Sequence, residues 1–256
     1  MNLLRSCLIA FSMYSKIPVP ETAWTKENMK YALCFFPFIG VVIGGCLILW
    51  HGIAEYLRIG TNLHTVVFLL IPVLITGGIH LDGFFDTADA LSSYKSAKEK
   101  REILKDPHVG AFAVIAGIGY FLLSFGIWSE AATREIQVLA IGFVLSRALS
   151  GFAVVTFSKA QNTGLAATFS EMSVTRTVQV TMLLYIGLCS LGMVWLRPVT
   201  GLAGLFGAGL TFLYYRRMSY QKFGGITGDL AGFFLQICEL AMALCAVGTA
   251  LLFYRS

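Results

Sequence analysis

Three aspartates fall close together in the run TGGIHLDGFFDTADAL: Asp82, Asp86 and Asp89. On a helix each residue advances about 100°, so the spacing i, i+4, i+7 gathers these carboxylates into a stripe roughly 60° wide. Like charges held so near one another repel, and beside a membrane a cation is the simplest remedy. Oxygen-only ligands suit a hard ion such as Mg²⁺, which commonly takes one or two carboxylates and completes its octahedron with water and substrate phosphate. The implied chemistry is transfer at a diphosphate. Capping a helix in a solvated loop is the usual fate of isolated aspartates, and three on one face exceed what a cap requires.

Other residues near this run widen the candidate site. His80 points away from Asp82 on a continuous helix but reaches the site if the helix is broken. Downstream, the basic segment KSAKEKREILKDPHVGAFAV ends in a turn, because Pro107 fixes φ and Gly110 permits close approach. Lys105 and Asp106 sit at that turn, and Asp106 reads either as a helix-ending residue or as another active-site carboxylate. Arg147 lies inside an apolar run, where a guanidinium is costly unless paired; the choices are snorkelling, a structural salt bridge or a phosphate clamp, and Glu239 in the last apolar run reads either as a functional residue or as the partner of Arg147. The run GGITGDL places Thr227 and Asp229 just before that last run, a nest for phosphate oxygens or an ordinary capped turn.

The elements that hold these groups are membrane helices. Of 256 residues, 57% are hydrophobic and 13% charged, and mean hydropathy is +0.74, whereas a soluble domain carries about 25% charged residues. Apolar runs near 32–50, 65–79, 110–128, 138–157, 178–195, 200–215 and 230–253 predict an all-α, polytopic helical bundle with about seven spans, six to eight being compatible with the boundaries. The second run is short and leads straight into the aspartates, so a broken helix lining a cavity is expected there. With the amino terminus inside, 14 of the 19 Lys and Arg residues fall on that same side; Arg58, Arg134, Arg197 and Arg255 fall opposite, and Arg147 within a span. All five aspartates lie on the inner side.

A single domain over residues 1–256 is expected, since no long repeat or soluble linker interrupts the chain. Gly40 and Gly44 form a GxxxG spacing that suits close helix packing. The opening segment reads as a retained interfacial helix, because no small-residue cleavage pattern follows it. The six cysteines form no CxxC pair, which argues against a zinc site or disulfide framework, and no basic-aromatic array points to nucleic acid.

The aspartate motif resembles that of the cobalamin-5'-phosphate synthases, also called adenosylcobinamide-GDP ribazoletransferases. The likeness continues in FSMYSKIPVP, FPFIGVVIGG, KDPHVGAFAV, LSRALSGFAVV and GGITGDLAGFFLQICELAMAL, in order, from about residue 11 to about residue 244. Bulky Phe84 and Phe85 depart from the smaller residues expected there, leaving the carboxylate spacing intact. The resemblance implies transfer of adenosylcobinamide-phosphate from adenosylcobinamide-GDP to alpha-ribazole or its 5'-phosphate, with GMP leaving and Mg²⁺ required. It also implies residence in a bacterial cytoplasmic membrane with the site facing the cytoplasm, in contact with the lipid bilayer and open to association with other enzymes of the pathway. Carried over from the motif, Asp82, Asp86 and Asp89 hold the metal, one of them being an alternative base. Lys105, Arg147 and Thr227 are candidates for phosphate or nucleotide oxygens, and His80, Asp106 or Asp229 for the proton acceptor.

Other enzymes use aspartates and Mg²⁺ against a diphosphate. A phosphatidyltransferase would show a longer series with an Ala-Arg pair, and here Asp82-Gly83 is followed by Phe84-Phe85-Asp86-Thr87. A prenyltransferase would more typically show two aspartate-rich motifs. A transporter would place charge near the midplane in paired repeats, whereas these aspartates gather on one face.

Overall fold

In the computed structural model, which describes residues 2–161 and 164–254, the chain is helical almost throughout. Its helices are α1 (Asn2–Tyr14), α2 (Lys26–Met29), α3 (Phe36–Tyr56), α4 (Thr61–Thr76), α5 (Ile79–Ser92), α6 (Ala97–Ile103), α7 (Ala111–Ser129), α8 (Thr133–Thr156), α9 (Leu165–Met172), α10 (Thr175–Leu196), α11 (Pro198–Met218) and α12 (Gly228–Tyr254). A 3₁₀ turn precedes α3, and a π turn follows α11. The only β pairing among the described residues is an isolated parallel bridge between Lys159 and Ile226.

Among the described residues, five stretches are long and apolar enough to cross a bilayer: Lys26–Tyr56, Ala111–Ser129, Thr133–Thr156, Thr175–Leu196 and Gly228–Phe253. The pair α4 and α5 makes a sixth if counted as one span. The expectation of seven also included 200–215, which lies in α11. That helix is 21 residues long and packs along α12, but glycines at 201, 204, 207 and 209 stand where aliphatic side chains would make it more apolar. It falls outside the set for that reason.

Helix α8 is the axis of the bundle, with α3, α10 and α12 packed around it. Most of its length is buried, including Val138, Leu139, Leu145, Ala148 and Ala153, so it is apolar on every side instead of striped. Gly40 and Gly44 let α3 sit directly on the α8 backbone: a Cβ at Gly40 would run into the Phe143 carbonyl, and one at Gly44 would lie 2.6 Å from the Ala140 oxygen. The expected GxxxG contact is therefore a backbone-to-backbone crossing. On the periphery, α7 exposes Phe112, Ile115, Ile118 and Leu122, and α10 exposes Leu183, Leu184, Leu188 and Leu191. In a bilayer these rows face acyl chains.

The short second run breaks as its length foretells. Gly77 and Gly78 both take left-handed backbone, at φ 65° and 80°, a conformation that costs glycine little. The chain turns by 97° between α4 and α5 there. Below the break the Lys16 stem fills the space that a Gly77 side chain would need, and the Lys16 N–H donates to the Ile75 carbonyl at 2.7 Å. The segment after α1 thereby clamps the bend from outside.

The helix ends sort the charges as the sidedness reading expects. Near Arg58 and Arg134, the Trp50 indole donates to the His64 carbonyl at 3.0 Å and His51 lies 3.0 Å from the Thr133 hydroxyl. Arg197 at the start of α11 faces Glu135 at 3.5 Å on the same side. Arg255 lies outside the described residues. The opposite end carries α1, α2, α6, α9 and all five aspartates.

Candidate active site

Asp82 is exposed, while Asp86 and Asp89 are half-buried, all on α5. Neither the Asp82 nor the Asp86 carboxylate makes a hydrogen bond or ion pair among the described residues. Asp89 is engaged: its Oδ1 accepts the Ala113 N–H at 3.3 Å, at the first turn of α7, where the helix dipole favours an anion. Gly110 lies hard against the same carboxylate, so a side chain there would displace it.

A fourth carboxylate arrives from the other end of the sequence. Helix α12 crosses α5 so closely that a Cβ on Gly83 would lie 2.7 Å from the Asp229 carbonyl oxygen. A Cβ on Gly232 would lie 3.0 Å from the His80 carbonyl. Gly83 and Gly232 thus permit the crossing that sets Asp229 beside the α5 stripe. The charges of Asp82, Asp229 and Asp89 all reach Asp86. Thr227 caps α12, accepting the Leu230 N–H at 3.2 Å and donating to Asp229 at 3.4 Å. Its hydroxyl serves the start of α12.

No three His, Cys, Asp or Glu side chains among the described residues converge into a ready-made metal cage. The donor set nevertheless fits Mg²⁺, an ion that keeps several waters and is held by one or two carboxylates together with substrate phosphate. Asp82 and Asp86 are the carboxylates free to do this, with Asp229 next to them.

Two clefts meet at this crossing. One, of about 290 Å³, is basic, with Arg101, Lys105 and Lys159 in its wall and Thr227, Gly228 and Asp229 at its inner edge. The Lys159 and Ile226 backbones are zipped together by the Ala160 N–H donating to Ile226 O at 3.0 Å and the Ile226 N–H donating to Ser158 O at 2.9 Å. Arg101 fixes the neighbouring turn by donating to the Phe223 carbonyl at 2.7 Å. Burial pulls the Lys159 ammonium below its ordinary pKa, against the opposing effect of Tyr220; an anion beside it would relieve that cost. Sequence reasoning counted Arg101 and Lys159 only as inner-side charge. Their pairing with GGITGDL depends on two loops far apart in sequence and has no local signature. The second cleft, of about 300 Å³, is mostly apolar and includes Tyr14, Phe36, His80, Asp82 and Asp229.

The remaining candidates are placed differently: Arg147 lies outside both clefts, whereas His80 and Lys105 line one each. Arg147 is 1% exposed, and its Nη1 donates to Glu239 Oε1 at 2.6 Å and to the Phe143 carbonyl at 2.8 Å. Ser146 donates to the same carboxylate oxygen at 2.8 Å. Of the two partners open to Arg147, the fold supplies Glu239, and the guanidinium lines neither cleft. His80 is buried between the rings of Tyr14 and Phe36, with centroids 6.3 and 5.9 Å away, and neither ring nitrogen has a hydrogen-bond partner among the described residues. Lys105 edges the basic cleft while pairing with Glu102 at 3.4 Å.

Asp106 lines neither cleft. Its Oδ1 accepts from the His108 N–H at 3.0 Å and from the His108 ring at 2.7 Å, and these bonds hold its carboxyl below the ordinary value. The contact is present above the normal carboxylate range and is lost as acid protonates Asp106. A carboxylate so held is a poor proton acceptor at neutral pH. Losing a general base costs about 10²–10⁴ in rate, so Asp106→Asn is expected to keep turnover within about tenfold in a steady-state assay. A loss beyond that range would restore Asp106 to the site.

Comparison with known proteins decides the family. The family model described as Cobalamin-5-phosphate synthase matches residues 6–247. The chain belongs to that family. It is 49% identical to an adenosylcobinamide-GDP ribazoletransferase of Lachnoclostridium phytofermentans, over 96% of this chain and 95% of that one. A protein of the same name from Desulfitobacterium hafniense is 31% identical over 94% of this chain and 96% of its own, and one from Clostridium botulinum is 29% identical over 93% and 95%. No solved structure matches the chain. For a synthase of this family, carboxylates between a basic and an apolar cleft on one membrane face are the feature to be explained.

Proposed function

We propose that this membrane synthase transfers the adenosylcobinamide-phosphate moiety of adenosylcobinamide-GDP to alpha-ribazole or alpha-ribazole 5'-phosphate, releasing GMP. The observation that carries the reading is the position of Asp229, shared by a cleft of fixed cations and a cleft containing Asp82. The family match and the names of the relatives support the same reaction.

The chain's own residues supply positioning and charge. Lys159 and Arg101, with Lys105 at the edge, hold the phosphates of the leaving nucleotide in the basic cleft. Asp82 and Asp86 would hold Mg²⁺, which when bound would neutralise the diphosphate. A hydroxyl of the acceptor ribose attacks the phosphorus attached to cobinamide; the new O–P bond forms as the phosphoanhydride breaks, GMP carries away the bond's electron pair, and Asp229 takes the hydroxyl proton. The buried Arg147–Glu239 pair stiffens α8 against α12 behind the site. With fourteen basic residues on the side of the carboxylates, this site faces the cytoplasm of a bacterial inner membrane.

The test is GMP release and corrinoid product formation by the protein in liposomes, given adenosylcobinamide-GDP and alpha-ribazole phosphate. Both products should appear together with Mg²⁺ and vanish with chelator. Folded protein giving neither product in Mg²⁺ would overturn the reaction, and undiminished turnover in chelator would overturn the metal.

A further inference from the structure

The basic and apolar clefts share only two lining residues among those described, Gly228 and Asp229. They therefore approach the same point from different walls of the site. In phosphoryl transfer the attacking and leaving oxygens lie roughly in line on opposite sides of phosphorus, so a site of this kind needs one seat for the leaving group and a separate one for the nucleophile. The cations of the basic cleft suit the nucleotide that leaves. The apolar cleft has no Lys or Arg in its wall, and its surface comes from Tyr14, Leu33, Phe36 and Val154, with Asp82 and Asp229 as its carboxylates. Tyr14 and Phe36 pack with ring centroids 4.3 Å apart and form an aromatic wall. Neither cleft could enclose a corrinoid macrocycle, which must lie outside both.

We infer that the apolar cleft under α1 is the acceptor seat, binding the aromatic base of a nucleoside against Tyr14 and Phe36 with its ribose turned toward Asp82 and Asp229. A flat heteroaromatic base matches the aromatic wall, and a ribose hydroxyl matches the carboxylates. The assignment rests on the reaction proposed above and adds which wall recognises which substrate. It also makes the Tyr14 and Phe36 wall the determinant of base preference: bases with apolar faces are favoured over those that bury polar edges without partners.

Two measurements test it. In steady-state kinetics Tyr14→Leu, which keeps the site apolar but removes the ring, should raise KM for alpha-ribazole about tenfold and leave KM for adenosylcobinamide-GDP unmoved. Lys159→Ala should do the reverse. A Tyr14→Leu effect on the donor KM, or on kcat alone, would overturn the assignment. The second measurement needs no turnover and uses unmodified protein: equilibrium binding of labelled alpha-ribazole in nanodiscs, without donor. Binding displaced by unlabelled alpha-ribazole but not by ribose 5-phosphate supports an aromatic seat. Equal displacement by ribose 5-phosphate, or absence of binding because an acyl chain fills the cleft, overturns it. Base-dependent binding without GMP release would leave the seat standing and count against the reaction alone.

Discussion

Asp82→Asn is expected to lower turnover by about 10³-fold or more, the scale of losing a group that stabilises developing charge at the reacting centre. The substitution keeps the shape of the side chain and removes its negative charge. Asp82 is exposed and its carboxylate holds no hydrogen bond or ion pair among the described residues, so the protein should remain folded in the membrane at wild-type levels. Rates of GMP release at saturating substrates, alongside thermal melting of the purified variant, separate the two effects. Full activity in Asp82→Asn would remove this carboxylate from metal binding. Asp89→Asn provides an internal contrast: its carboxylate also holds the start of α7, so a lower melting temperature should accompany whatever activity it loses.

Glu239→Ala carries the largest expected cost in stability, about 3–5 kcal/mol, because it leaves the Arg147 guanidinium buried without its counter-charge. Arg147 is 1% exposed and Glu239 9%, and the pair joins α8 to α12 at the core of the bundle. Loss of Glu239 also leaves the Ser146 hydroxyl only the Phe143 carbonyl, at 3.1 Å, as acceptor. Replacing both charges, as in Arg147→Met with Glu239→Leu, should recover most of the loss, since well-packed apolar residues often substitute for a buried ion pair at little cost. Melting temperatures of Arg147→Met alone, Glu239→Leu alone and the double variant, beside Glu239→Ala, in one detergent check this. Equal destabilisation of the double variant and the sum of the singles would show that the pair does not act as a unit.

These two carboxylates illustrate how differently the parts of the molecule were legible. The Asp82, Asp86 and Asp89 stripe follows from helical periodicity, a local property, and it appears where the spacing puts it. Glu239 and Arg147 were readable as charges that must find partners, each other among the choices. Which partner each found depends on the rotation of α8 against α12, set by side chains along both helices and not by any short motif. The capping role of Asp89 was likewise hidden, because α7 begins well downstream of it and the approach needs Gly110 at one exact place.

By itself the sequence determined the all-helical membrane class, the gathering of its aspartates and most basic residues at one end of the bundle, the break after the short second run and the family. Each rests on hydropathy, basic-residue asymmetry, paired glycines or an ordered set of motifs, all of which act locally or add along the chain. Tertiary structure alone decided that Asp229 joins the α5 carboxylates, that Lys159 and Arg101 share a cleft with GGITGDL, and that Arg147 is spent on Glu239. Those outcomes depend on close backbone crossings at Gly83 and Gly232 and on a bridge between distant loops. Contacts of that kind are set by the packing of the whole bundle, where moving one helix by a single side chain's width changes every partner along it.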